Sequence, residues 1–158
     1  MSRDIRLLHP KLQSIIPLLI RACFDLGYPP VLITETLRTA AEQDALYAKG
    51  RLINGVTVKG PIVTNCKGTD FESLHQWGVA CDFCRNVKGR EFDDTDKFFS
   101  RVGAQAKRLG LDWGGDWKTF IDKPHLQMRE FSPDGTAKFL KSKYKTPAEF
   151  IKTWRTVT

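Results

Sequence analysis

The decapeptide Ser73-Leu-His-Gln-Trp-Gly-Val-Ala-Cys-Asp82 sets an imidazole, His75, and a carboxylate, Asp82, seven residues apart, with Gly78 and Ala80 between them. Small residues in such a stretch let the backbone turn tightly and let other groups approach whatever the two side chains hold. A metal ion is the natural candidate. Zinc accepts neutral histidine nitrogen and aspartate oxygen, and a catalytic zinc uses three protein ligands with a fourth position for water. A third ligand must therefore come from elsewhere in the chain.

The sequence has three histidines, His9, His75 and His125. His125 lies in Phe120-Ile-Asp-Lys-Pro-His-Leu-Gln127, three residues after Asp122, with Pro124 stiffening the approach. A carboxylate three positions ahead of a ligand on a constrained turn can face the same ion without binding it, which is where a general base stands. His9 carries no partner motif and reads as an ordinary polar side chain.

The surrounding pattern predicts an α+β domain with a small antiparallel sheet flanked by helices. His9-Pro10 opens a helix, since proline suits the first helical position. Leu12, Ile15, Ile16, Leu19, Ala22, Cys23 and Leu26 continue it at helical spacing to Gly27, with a kink or restart expected at Pro17. Val31 to Thr36 reads as a strand that delivers Arg38 to its end. Thr39-Ala-Ala-Glu42 is a capping box, so a helix carrying Gln43, Leu46 and Tyr47 follows. Gly50 to Phe71 reads as an irregular lobe with a hairpin, its β-prone pieces at Val56–Val58 and Ile62–Thr64. Gly78 to Phe83 is expected as a core strand. Asp93 or Asp94 is expected to cap a helix bearing Phe98, Phe99, Val102, Ala106 and Leu109, before strands at Leu111–Trp113 and His125–Met128.

Ser73-x-His75-x-x-Gly78-x-Ala80-x-Asp82 followed by Asp122-x-x-His125 resembles the zinc peptidases that cut peptidoglycan stem peptides. These are the D-alanyl-D-alanine carboxypeptidases and dipeptidases and, closer still, the L-alanyl-D-glutamate endopeptidases of phage endolysins and bacterial autolysins. Trp113-Gly-Gly-Asp-Trp117 and Leu46-Tyr-Ala-Lys-Gly-Arg51 are similar to the endopeptidase branch in particular. The likeness runs from about Leu8 to about Met128. It implies the fold shared by these peptidases and the hedgehog signalling domain, and zinc held by His75, Asp82 and His125. It further implies Asp122 as general base, and Arg38 as the group that steadies the substrate and the oxyanion. Gln43 is carried over with Arg38 as a substrate contact; Ser73 is expected to contact substrate or orient a ligand, and Asp116 and Trp117 to line the substrate cleft, with a fold role open for Trp117. Residues 1–158 are then one peptidase domain, with a catalytic core at about 8–131 and a basic helical segment at 132–158.

Composition agrees with a globular enzyme and narrows its partners. Hydrophobic residues at 41% and charged ones at 27% are ordinary globular values. A formal net charge of +7 points to an anionic partner, for which nucleic acid, a membrane surface and bacterial wall polymer all qualify. No DNA- or RNA-binding motif accompanies the charge, so nucleic acid is not expected. Residues 132–158 carry six Lys/Arg against two acids, interleaved with Phe139, Leu140, Tyr144, Phe150, Ile151 and Trp154. That segment reads as terminal helices packing an apolar face, or as an added contact with anionic wall or outer-membrane lipid.

Of the four cysteines, Cys81 and Cys84 have redox spacing but lack the second pair a structural zinc needs, and on a strand they face opposite ways. An inert role is expected for them. The apolar run Ile15–Ile20 is too short and too interrupted for a span or a secretory signal. A monomer made in the cytoplasm, reaching the wall by another agent, is the expectation. Two alternatives stay open: a D-alanyl-D-alanine carboxypeptidase, and a non-enzymatic zinc-bearing wall-binding domain.

Overall fold

The computed structural model describes residues 1–155. Helix α1 (Pro10–Asp25) starts with His9, whose Nδ1 accepts from the Lys11 amide, and Pro10 occupies the first turn. It buries Leu12, Ile16, Leu19 and Cys23, one stripe at helical spacing. The helix continues through Pro17 as one element, so the restart among the two sequence expectations does not occur. Pro17 lies on the exposed face, where burial of the stripe holds the helix together despite one lost donor.

Strand β1 (Val31–Glu35) alternates buried and half-buried residues, and α2 (Ala40–Ala48) begins at the Thr39/Glu42 capping box with both reciprocal bonds formed. The lobe that follows holds one short, exposed hairpin, β2 (Leu52–Ile53) with β3 (Val56–Thr57). Ile62–Thr64 forms no strand, because no neighbouring edge offers its backbone a ladder. Instead this part of the lobe is tied to α2: Gln43 donates to Thr64 Oγ1 and to the Cys66 carbonyl, and Asp44 accepts from the Gly68 amide.

A buried 3₁₀ turn, Leu74–Trp77, leads into β4 (Ala80–Arg85), buried along nearly its whole length. Helix α3 (Phe98–Arg108) is preceded by Lys97 in the left-handed region rather than by a capping aspartate. Asp94 still serves the helix end, its carboxylate accepting from the Phe99 amide at 3.0 Å. Strands β5 (Leu111–Trp113) and β6 (His125–Met128) complete an antiparallel sheet of order β1-β4-β6-β5. The α+β architecture expected from the sequence is the one observed.

Register places the functional side chains. Glu35 of β1 lies opposite Asp82 of β4, and Asp82 lies opposite His125 of β6. One rung of the two central strands therefore carries two of the expected metal ligands, which are 43 residues apart in sequence.

The terminal segment forms α4 (Lys138–Tyr144) and α5 (Pro147–Arg155). Phe150 is 1% exposed and meets the rings of His9, Trp77, Phe131 and Tyr144 at centroid distances of 4.9–6.1 Å. The apolar face of the segment is thus spent on packing, and it buttresses the 3₁₀ turn that carries His75. Phe139 is the large apolar side chain it leaves exposed among the described residues.

Candidate active site

His75, Asp82 and His125 converge. His75 Nε2 lies 3.3 Å from Asp82 Oδ1, His125 Nδ1 lies 3.2 Å from the same oxygen, and the two imidazole nitrogens are 3.2 Å apart. Zinc bonds of about 2.0–2.1 Å in tetrahedral geometry separate donors by about 3.3–3.4 Å, so this near-equilateral triangle has the dimensions of one face of a zinc site. These three side chains are the metal-competent group among the described residues.

The outer nitrogens say why a cation fits. His75 Nδ1 faces the Thr36 carbonyl oxygen at 2.8 Å, and His125 Nε2 faces Gln127 Oε1 at 3.1 Å. Both outer partners are acceptors, so each ring carries its proton on the outside and turns a lone pair inward. Two lone pairs and a carboxylate oxygen then converge on one point, where a proton or a cation would be held by all three. Burial opposes charge on His125, but the hydrogen bond and charge of Asp82, helped by Asp122, raise its pKa. Burial likewise opposes ionisation of Asp82, yet the two imidazoles hold its carboxyl well below the ordinary carboxylate range. A divalent cation replaces the shared proton with a better-placed charge, which is the donor chemistry zinc selects.

The group opens on a cleft of about 560 Å³ whose walls include Glu35, Arg38, Ser73, Trp117 and Asp122. Burial raises the Asp122 pKa, with the nearby Asp82 charge adding to it against the opposing pull of the histidines and Arg38. A carboxyl in that state suits a group that takes and returns a proton. Arg38, 8% exposed, donates from Nε to Glu35 and from Nη1 to Gln43 Oε1 at 2.6 Å, and its Nη2 lies 3.8 Å from Asp82. The guanidinium is held in a plane beside the metal group with donors to spare toward the cleft.

The remaining expected contacts divide. Ser73 lines the cleft and makes no capping bond to the turn it precedes. Trp117 also lines it, its ring 5.1 Å from that of His125. Gln43 is not on the cleft wall: it is fully buried behind Arg38 and bridges that arginine to the lobe. Asp116 does not reach the cleft either, because it pairs with Lys107 at 2.6 Å on the outer surface.

Trp113-Gly114-Gly115 shapes the position of Asp122. The indole Nε1 of Trp113 donates to the Lys123 carbonyl at 2.7 Å, and the Asp122 amide donates to the Gly114 carbonyl at 3.1 Å. A Cβ on Gly114 would sit 2.4 Å from the Asp122 carbonyl oxygen, and one on Gly115 would sit 2.1 Å from the Trp113 ring. Both glycines are there because the turn carrying Asp122 and the indole come too close for a side chain. Sequence reasoning missed Glu35, Thr36, Gln127 and Ser132. Only Gln127 left a signal, since on a strand it shares a face with His125 two residues before it.

Comparison with known proteins agrees with this geometry. Residues 67–128 match the family described as D-alanyl-D-alanine carboxypeptidase, and that stretch contains His75, Asp82, Asp122 and His125. The peptidoglycan L-alanyl-D-glutamate endopeptidase CwlK of Bacillus subtilis (strain 168) is 41% identical over 130 residues, which span 77% of this chain and 73% of that protein. The chain belongs to this peptidase family. Another peptidase relative, the L-alanyl-D-glutamate peptidase of a Listeria phage, is 38% identical over 101 residues, 61% of this chain but 30% of the phage protein. Among solved structures, the Serratia marcescens L-Ala D-Glu endopeptidase ChiX has the same fold as this peptidase, with a TM-score of 0.61 over 81% of this chain and 86% of that one at 24% identity. No helix among the described residues of the peptidase is long and apolar enough to cross a membrane.

Proposed function

We propose that the chain hydrolyses the bond between L-alanine and D-glutamate in peptidoglycan stem peptides, using zinc held by His75 Nε2, Asp82 Oδ1 and His125 Nδ1. The observation that carries this reading is the 3.2–3.3 Å triangle of inward-facing acceptors at the floor of a cleft that also holds Asp122 and Arg38. The endopeptidase names of two relatives supply the choice of bond.

When bound, zinc brings the pKa of its water to about 7 and polarises the scissile carbonyl. Asp122 accepts the proton of the attacking water, whose oxygen adds to the L-alanyl carbonyl carbon. As the C–N bond breaks, Asp122 returns that proton to the departing D-glutamate amine. Arg38 faces the developing oxyanion with donors already oriented by Glu35 and Gln43, so little reorganisation accompanies the change in charge. Ser73 and Trp117 contact the stem on the cleft wall. Gln43 contributes through Arg38 alone, and Asp116 has no part in the site.

The likeness to the phage peptidase supports an endolysin-type role, and the +7 charge suits an anionic wall. Mass spectrometry of digested peptidoglycan tests the reading. Fragments ending in L-alanine on the muramic acid, with new D-glutamate amines, are expected. Release of free D-alanine alone would assign the carboxypeptidase reaction instead, and wall binding without any released peptide would mark a non-enzymatic domain.

A further inference from the structure

We propose that Gln127 and Ser132 are a positioning pair that locks His125 in the tautomer and orientation needed to present Nδ1 to the metal. The proposal rests on the zinc reading above and adds two residues to the site.

The direction of every bond in this pair can be worked out from one end. Ser132 Oγ lies 2.9 Å from the Met128 carbonyl oxygen, which can only accept, so the hydroxyl proton is committed there. The same Oγ lies 3.0 Å from the Gln127 amide, and with its proton spent it must accept. Gln127 therefore turns its NH₂ toward Ser132 and its carbonyl oxygen toward His125 Nε2, 3.1 Å away. Nε2 must then carry a proton, and the lone pair is left on Nδ1, beside Asp82 and His75. Three bonds fix one tautomer.

The pair is built to keep that order. Gln127 and His125 border the cleft, yet Gln127 and Ser132 are each 1% exposed and His125 is 7% exposed, so little water reaches these bonds. Gln127 is held from both sides of β6, opposite Ala80 on β4 and Asp112 on β5. Ser132 follows the 3₁₀ turn Arg129–Phe131, which brings the chain back over the end of the strand. A wholly apolar pair would pack as well, so the cost of burying two polar side chains points to a role for their orientation. An outer partner of this kind typically alters metal affinity by about 10- to 100-fold when removed.

The test measures zinc affinity by chelator competition, together with the His125 Nε2–H resonance in the zinc-loaded protein. Gln127→Leu keeps the volume and removes the acceptor. It should bind zinc about 10- to 100-fold more weakly, and its Nε2–H should exchange with solvent too fast to observe. Gln127→Glu retains an acceptor and should restore both the resonance and near wild-type affinity, which a merely space-filling role would not predict. Ser132→Ala frees the amide to rotate and should weaken zinc binding by less than Gln127→Leu. Wild-type affinity and an unchanged resonance in Gln127→Leu would overturn the pair while leaving the zinc reading intact. Absence of zinc binding by the wild-type chain would instead overturn the reading it rests on.

Discussion

Adding one methyl group at Gly114 should separate catalysis from metal binding without replacing any reacting side chain. The Cβ of Gly114→Ala would lie 2.4 Å from the Asp122 carbonyl oxygen, where ordinary contacts begin at 3.4 Å. About 1 Å must be found, and the neighbour is backbone, so the turn that carries Asp122 has to move. The same Cβ meets His125 Cβ at 3.1 Å, which asks for only a few tenths of an ångström there. A misplacement of about 1 Å at a reacting group costs on the order of a hundredfold in rate. Overpacking of this sort also costs about 1–3 kcal/mol of stability, or several degrees in Tm for a chain of this size. The expected protein is folded, holds one zinc, and cleaves a defined muropeptide about a hundredfold more slowly, with the loss in kcat. Rate by liquid chromatography and metal content by atomic absorption measure the two halves separately. A folded Gly114→Ala protein with kcat within about threefold of wild type would refute either the placement of Asp122 by this turn or its role as base.

Asp122→Asn should keep zinc, since three ligands remain, and lose at least about a hundredfold in turnover. Its stability gives a second readout. Burial raises the Asp122 pKa in the metal-free fold, so the native state binds the proton more tightly than the unfolded chain and ionised Asp122 opposes folding at neutral pH. Metal-free Asp122→Asn should therefore unfold at higher denaturant than wild type at pH 7, and the gap should close as pH falls through the carboxylate range; a gap that widens in acid would contradict the burial argument. Arg38→Ala should cost about 3 kcal/mol or more in equilibrium unfolding, because it leaves buried Glu35 without its cation, and Arg38→Lys should recover stability better than kcat. Equal recovery of the two would remove the guanidinium's planar geometry from the mechanism. Native alkylation at pH 8 should label Cys66 on the cleft wall first, because burial raises all four thiols and Cys66 alone among them is not buried; rapid native labelling of Cys23, pushed up to about 11, or of Cys81, raised further, would count against the packing described.

Most helices and strands, and the residues that converge at the candidate metal site, were legible in the sequence because each has a local cause. The Leu12–Cys23 stripe, the Thr39/Glu42 capping box and the tight Gly78-x-Ala80 stretch act through neighbours a few residues away. His75, Asp82 and His125 could be singled out because their residue types suit a metal and their local motifs resemble those of one peptidase family. Pro17 does not end α1 because it sits on the face the core leaves exposed, and Ile62–Thr64 forms no strand because a β-prone triplet becomes one only beside an open edge.

Tertiary structure alone decided what surrounds that chemistry. Pairing of β4 with β6 sets Asp82 across from His125, and no local pattern specifies a rung between residues 43 apart. The same folding turns Gln43 from a cleft residue into the support of Arg38, sends Asp116 outward to Lys107, and places Gln127 and Ser132 behind His125. Metal-binding residue types are written into the chain one by one; their tautomers, their distances and the groups that orient them arise only when distant segments share a buried rung, because hydrogen bonds and close packing are set by position in space rather than by order along the backbone.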